Sequence, residues 1–228
     1  MVVAPVSSYQ AHIGSQEIDL PVVPLSDELA IALFITVDHG VRFMARAGED
    51  LARILAGHDV DVVVSVATMG IPLAIEVTRA LGLDDYLILQ KTPKIHLSDA
   101  IAEPVKSITT GSPQRLLFDR ARTDAVAGKR VALIDDVIST GASVSAALRL
   151  IRRVGGTPVA MGCMLTEGGE WPQALGHDVH LVRSLGAIPL FRRGENGALS
   201  EDWGAFVDPP SPESLWNAGT ATELSPGS

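Results

Sequence analysis

Apolar and polar positions along the chain follow two periods, and the switches between them mark out the elements. Val60-Asp61-Val62-Val63-Val64-Ser65-Val66 is β-branched and mostly apolar, which suits a strand covered on both faces. Thr68-Met69-Gly70 reads as a turn. From Ile71 to Leu81 the apolar residues recur at helical spacing, with Gly82 as the stop. Tyr86 to Leu89 is the next short strand, Val131 to Ile134 a third, Val159 to Leu165 a fourth and Val179 to Val182 a fifth. Between the third and fourth, Ser143 to Val154 predicts a helix ended by Gly155-Gly156. Upstream, Val37, Val41, Met44, Ala47, Leu51, Ile54 and Leu55 predict a helix from about Val37 to Ala56, with Gly40 and Gly48 against it. Strands alternating with helices imply right-handed crossovers and a mainly parallel sheet, hence a single α/β domain flanked by helices.

Two stretches depart from this rhythm. Residues 1–25, with Pro5, Pro21 and Pro24, read as irregular, with at most a short strand around Ile18 to Val23. Lys91 to Gln114 is polar, carries Pro93, Pro104 and Pro113, and holds two short alternating runs. It reads as a projecting hairpin or a mobile loop, and a long loop inside a compact domain is often functional. From Asp208 onward the composition is that of a flexible tail. The expected layout is an N-terminal extension or small hood over 1–36, the main domain over 37–207 and a tail over 208–228.

Composition narrows the function classes. With 228 residues, 46% of them hydrophobic, the chain can bury one substantial core, and wholesale disorder is excluded. The single cysteine, Cys163, excludes a disulfide framework and a zinc site built on several thiolates. Lying between Met161 and Met164 in an apolar strand, it reads as an inert core thiol and points to a reducing cytoplasm. No apolar run approaches the roughly 18 residues of a membrane helix. The first residues lack the cationic start and apolar stretch of a secretory signal. A net charge of -9, without a dense Lys/Arg run, argues against nucleic acid as partner. The histidines are scattered without metal-ligand spacing, Ser65 lacks the Gly-x-Ser-x-Gly turn of a hydrolase, and no ATP-type P-loop is present.

The most informative segment is Val131-Ala132-Leu133-Ile134-Asp135-Asp136-Val137-Ile138-Ser139-Thr140-Gly141-Ala142-Ser143. A buried strand delivers two carboxylates at its C-terminal end, where open α/β sheets bind ligands. The polar loop Ser139, Thr140, Gly141, Ala142, Ser143 then opens a helix. Its free N–H groups, the helix dipole and three hydroxyls form an anion cradle. Carboxylates beside an anion cradle fit a sugar phosphate: the phosphate lies in the loop, the hydroxyls donate to the acids, and oxygen ligands hold a divalent cation nearby. Helix capping accounts for one polar residue here, not for two acids and five loop residues.

This segment closely resembles the 5-phosphoribosyl-1-pyrophosphate (PRPP) signature of the type I phosphoribosyltransferase family. The resemblance implies that Asp135 and Asp136 bind the ribose hydroxyls and act in catalysis, and that Ser139 to Ser143 bind the 5′-phosphate. Ala67-Thr68-Met69-Gly70-Ile71 is placed like the family's pyrophosphate loop, although Met69 stands where many members carry an acid or an arginine. Lys91 ends a strand, as does a diphosphate-contacting lysine of the family. Gln90 to Asp99, with Val105 to Thr110, is similar to the hairpin of xanthine and adenine phosphoribosyltransferases. There Lys94 and Lys106 are either surface lysines or residues that close over substrate. Leu185 to Phe191 is either a base-contacting segment or a terminal strand packed on the core.

What the resemblance implies is a magnesium-dependent phosphoribosyl transfer from PRPP to a purine base, adenine before xanthine or hypoxanthine, by a cytoplasmic homodimer. Mg2+ is held mainly by PRPP, with Asp135 the one side chain offered to it and no direct protein ligand assigned. The hairpin 92–113 closes to exclude water. Two other classes compete: a regulatory protein that binds PRPP without turnover, and phosphoribosyl transfer to a non-purine acceptor.

Overall fold

A computed structural model describes residues 8–97, 99–105, 114–194 and 197–204. Its centre is a parallel sheet of β4 (Val62–Val66), β5 (Tyr86–Leu89), β8 (Arg130–Ile138), β9 (Thr157–Glu167) and β10 (Val182–Ile188), in the order β10-β9-β8-β4-β5. The continuous apolar runs of β4 and β8 are buried on both faces because helices cover both. On one face lie α1 (Gly40–Leu55) and α2 (Ile71–Ala80), packed through Met44, Leu51, Leu73 and Val77 against Val63, Ala132 and Ile134. On the other lie α3 (Ala142–Arg153) and α4 (Trp171–Leu175), packed through Val144, Leu148 and Ile151 against Val64, Val131 and Leu133. The expected α/β sheet flanked by helices is therefore present. The glycine inside α1 has a packing reason: a side chain on Gly48 would collide with Glu76, so the glycine sets how closely α1 and α2 approach.

Residues 8–24 are not irregular. β1 (Ser8–Ile13) and β2 (Gln16–Pro24) form an antiparallel hairpin, and β3 (Leu29–Ala32) continues it. With β11 (Leu190–Arg193) and β12 (Leu199–Asp202) they build a second sheet, in the order β1-β2-β3-β11-β12. Pro21 and Pro24 stand at the two ends of the β2–β3 ladder, and Pro5 lies outside the described residues. Pro21 offers only its carbonyl, to the Leu33 N–H at 2.9 Å, and Pro24 is the last pair, so no ladder donor is lost in the middle. Ala11, Ile13, Leu20 and Val22 are buried with Leu165, Leu185 and Ile188 in one cluster.

Three other expectations shift. Residues 36–38 form a 3-10 turn before α1, which starts at Gly40 rather than Val37. The strand expected at 179–182 is instead a 3-10 segment over Gly176–Leu181, and β10 runs from Val182 to Ile188. Buried polar residues concealed that strand. Arg183 is 7% exposed and donates to the carbonyls of His180 and Val182, both at 2.8 Å, and the Ser184 hydroxyl turns onto the Gly186 carbonyl. The polar stretch is indeed a hairpin, β6 (Ala100–Val105) with β7 (Gln114–Asp119), its second strand running past Gln114. It does not project freely, because Arg149 of α3 donates to Glu103 at 2.7 Å and to the Pro104 carbonyl at 3.1 Å. The expected tail 208–228 and Lys106 lie outside the described residues.

Candidate functional site

The two acids leave the sheet at the C-terminal end of β8. Asp135 is 8% exposed, and its carboxylate accepts the Asp136 N–H at 3.1 Å; Asp136 is half-buried. Burial, then the neighbouring Asp136 carboxylate, hold the Asp135 carboxyl well above the usual carboxylate range, and Lys91 opposes both. Gly70 lies against this acid. A Cβ there would stand 2.8 Å from Asp135 Oδ1 and 2.6 Å from Ser65 Oγ, so only glycine lets the β4–α2 turn approach.

The loop after β8 turns at Gly141 (φ +74°) into α3. The Gly141 backbone is backed by Trp171 of α4, and the first turn of α3 leaves its N–H groups without helical acceptors. On the other side, β4 ends in Ala67-Thr68-Met69-Gly70, with a cis peptide between Ala67 and Thr68. The Met69 carbonyl accepts a hydrogen bond from Thr36 Oγ1 at 3.0 Å, and Thr36 is completely buried. Lys91, exposed just past β5, faces the same space.

One cavity of about 260 Å³ joins these parts. Asp135, Asp136, Ser139, Thr140, Gly141, Ala142, Ser143, Thr68, Met69 and Lys91 line it, and Gly70 lies beneath. The two acids, the anion loop, the 68–70 turn and Lys91 thus converge on one place. Lys94 is exposed and does not line the cavity. Phe191, offered as a base-stacking ring, is buried and meets Tyr9 edge to face at 5.6 Å, so Leu185 to Phe191 belongs to packed strands. Cys163 is fully buried beside Asp135, and burial pushes its thiol up to about 12, the inert state expected of it.

Two residues of the neighbourhood escaped the sequence reading. Thr36 carries no motif; only the fold brings it to the 67–70 turn. Glu167 ends β9 and is buried. A signal for it existed, since Thr166-Glu167-Gly168-Gly169 repeats the pattern of an apolar strand running into an acid and then glycines.

No cluster of three or more His, Cys, Asp or Glu side chains suited to a metal exists among the described residues. Two crowded carboxylates with one opposing lysine do fit Mg2+, which takes few protein ligands and keeps oxygens from water and phosphate. No helix among the described residues is long and apolar enough to cross a membrane.

Known proteins are similar to this chain in sequence and in fold. A xanthine phosphoribosyltransferase of Laribacter hongkongensis is 25% identical over 72% of this chain and 86% of its own length. An adenine phosphoribosyltransferase of Clavibacter sepedonicus is 31% identical over 58% and 67%. A transcriptional regulator, GfcR, of Methanocella arvoryzae is 35% identical over 49% of this chain and 48% of its own length. In fold, the chain is similar to the adenine phosphoribosyltransferases of Giardia lamblia, crystallised with 9-deazaadenine (TM-score 0.56, 16% identity, 74% of this chain and 93% of that one), and of Thermoanaerobacter pseudethanolicus (TM-score 0.54, 20% identity, 65% and 84%). Residues 41–185 match the phosphoribosyl transferase domain, a span that holds β4 to β9 and every residue lining the cavity, and the chain belongs to the phosphoribosyl transferase family.

Proposed function

We propose that the protein transfers the phosphoribosyl group of PRPP to a purine base, adenine by preference, in a Mg2+-dependent reaction. The observation that carries this reading is the single cavity in which paired carboxylates, a helix-start anion cradle and a lysine meet. The 5′-phosphate lies on Ser139 to Ser143, where the α3 amides point at it. The ribose hydroxyls donate to Asp135 and Asp136. The diphosphate lies along Thr68 to Gly70 toward Lys91. A ring nitrogen of the base forms a bond to the anomeric carbon as the bond to the diphosphate oxygen breaks; the electron pair of that bond leaves with the diphosphate, and the N–H proton of the base passes to solvent. Positive charge develops on the sugar, as in glycoside cleavage, and the two carboxylates beneath stabilise it. Asp135 is also the side chain that would meet Mg2+, itself carried mainly by PRPP, and what the metal would supply is neutralisation of the departing diphosphate.

The segment 92–113 closes over the loaded site to exclude water, leaving the position on α3 where Arg149 holds Glu103 and Pro104. A cytoplasmic location is supported by the single, buried cysteine. The homodimer is carried over from the family resemblance, and sedimentation equilibrium is expected to return twice the chain mass. The similarity to GfcR favours one second reading, a regulator that binds PRPP without turnover. Pyrophosphate release from PRPP and Mg2+ with adenine, hypoxanthine, guanine, xanthine, uracil and orotate separates the two. Release with a purine, abolished in Asp135→Asn/Asp136→Asn, is the expected outcome; PRPP binding with no release for any acceptor gives the regulator.

A further inference from the structure

β5 is the outer strand of the central sheet, and beyond it a further ladder begins and stops. Gln90 N–H donates to the Leu117 carbonyl at 3.0 Å, and Leu117 N–H returns to the Gln90 carbonyl at 2.8 Å. Antiparallel continuation would set Asp119 of β7 opposite Ile88 of β5, and that pair is not made. The direction of the remaining backbone groups follows from alternation along β5. The Leu89 carbonyl accepts the Ala67 N–H at 2.9 Å, toward β4, whereas Gln90 pairs outward. The N–H and C=O of Tyr86 and Ile88 therefore face outward as well, and no strand pairs with them among the described residues.

Past the Gln90–Leu117 bridge the two strands enclose a cavity of about 440 Å³. Ile88, Leu97 and Phe118 give it apolar walls, and Ile95, on the same short turn as Leu97, is fully exposed beside it. Asp84, Asp85 and Asp119 line its rim against one cation, Arg122, which lies 3.5 Å from Asp85. A strand margin with unpaired backbone groups and an apolar wall is a template for one more strand. The rim selects its chemistry. Three acids against one arginine favour cationic side chains, whereas a second copy of this chain, meeting edge to edge, would set Asp84 and Asp85 against acids.

We propose that the open margin of β5, from Asp84 to Ile88, docks an extended segment of another protein as an added strand. The segment alternates apolar residues, which enter the cavity, with lysine or arginine, which meet the acidic rim. Its place is next to the candidate site without being part of it: β5 runs through Gln90 into Lys91, which lines the cavity of the two acids. The proposal does not depend on the transfer reading.

The probe is a short fluorescein-labelled peptide of alternating lysine and valine, titrated by fluorescence anisotropy, with amide exchange followed residue by residue by NMR. Two comparison peptides carry glutamate for lysine, or N-methyl groups on every backbone nitrogen, which keep the charge and remove the donors. The lysine peptide is expected to bind saturably and to slow exchange of the Tyr86 and Ile88 amides. Asp84→Asn/Asp85→Asn, first shown by thermal melting to be folded, is expected to bind it about tenfold more weakly, the range of two exposed charge pairs. Neither comparison peptide is expected to protect the two amides. Absence of saturable binding by the lysine peptide overturns the proposal, and so does equal binding of the N-methylated one, which assigns the affinity to charge alone. Protection of Tyr86 and Ile88 in the free chain overturns it too: a second copy fills the margin if protection rises with concentration, the chain's own residues if it does not.

Discussion

Asp135 holds the sharpest conflict between stability and function at the scale of single residues. Its carboxyl is raised by burial and by Asp136, so the folded chain binds more protons than the unfolded one above the ordinary carboxylate pKa. Stability is therefore lost as pH rises through that window. Asp135→Asn removes the loss. In urea titrations at several pH values the variant is expected to be more stable than the parent by about 1–3 kcal/mol at pH 7, the scale of an ill-satisfied buried polar group. The difference shrinks toward pH 4, and pyrophosphate release is lost throughout. Thr36 acts through another residue: its hydroxyl holds the Met69 carbonyl of the proposed pyrophosphate loop. Thr36→Val keeps the shape and removes the donor. PRPP KM is expected to rise about tenfold, one buried hydrogen bond, with kcat nearly unchanged; equal falls in kcat and kcat/KM would assign Thr36 a different role.

At the scale of elements, the hairpin β1–β2 is fastened to α1 by one acid. Asp50, 3% exposed, accepts the Ser15 N–H at 2.8 Å and the Ser15 hydroxyl at 2.7 Å, and pairs with Arg53 at 3.1 Å. Asp50→Ala leaves the Ser15 amide without its acceptor, and the expected cost is about 2 kcal/mol in chemical denaturation. The β4–α2 turn depends on a missing side chain. Gly70→Ala drives a methyl into Asp135 and Ser65, and PRPP binding measured by calorimetry is expected to fall by at least about tenfold, because misplaced site groups lose far more than their contact energy.

The two sheets behave as one body. Residues of β1, β2 and β3 share a buried cluster with α1, α2 and the central-sheet strands β9 and β10, so the second sheet has no core of its own. Urea unfolding followed by far-UV circular dichroism and by tryptophan fluorescence is expected to give coincident curves. Two separated transitions would show that the second sheet melts independently.

The central sheet and the candidate site were legible in the sequence for the same reason. Strands buried on both faces are apolar throughout, and the residues at their C-terminal ends are followed directly by glycine-bearing loops, so Asp135, Asp136 and Ser139 to Ser143 form one local pattern. Lys91 and Thr68 to Gly70 were legible by placement at strand ends. The second sheet was hidden because its prolines lie where the ladder stops, and β10 because Arg183 and Ser184 satisfy their polar groups on backbone carbonyls inside the sheet. Local order along the chain thus determined the α/β rhythm, the two acids and the anion loop. Which distant residues meet them is set by long-range packing. The fold alone placed Thr36 beneath the 67–70 turn, Gly70 against Asp135, and Glu167 at the seam between the two sheets.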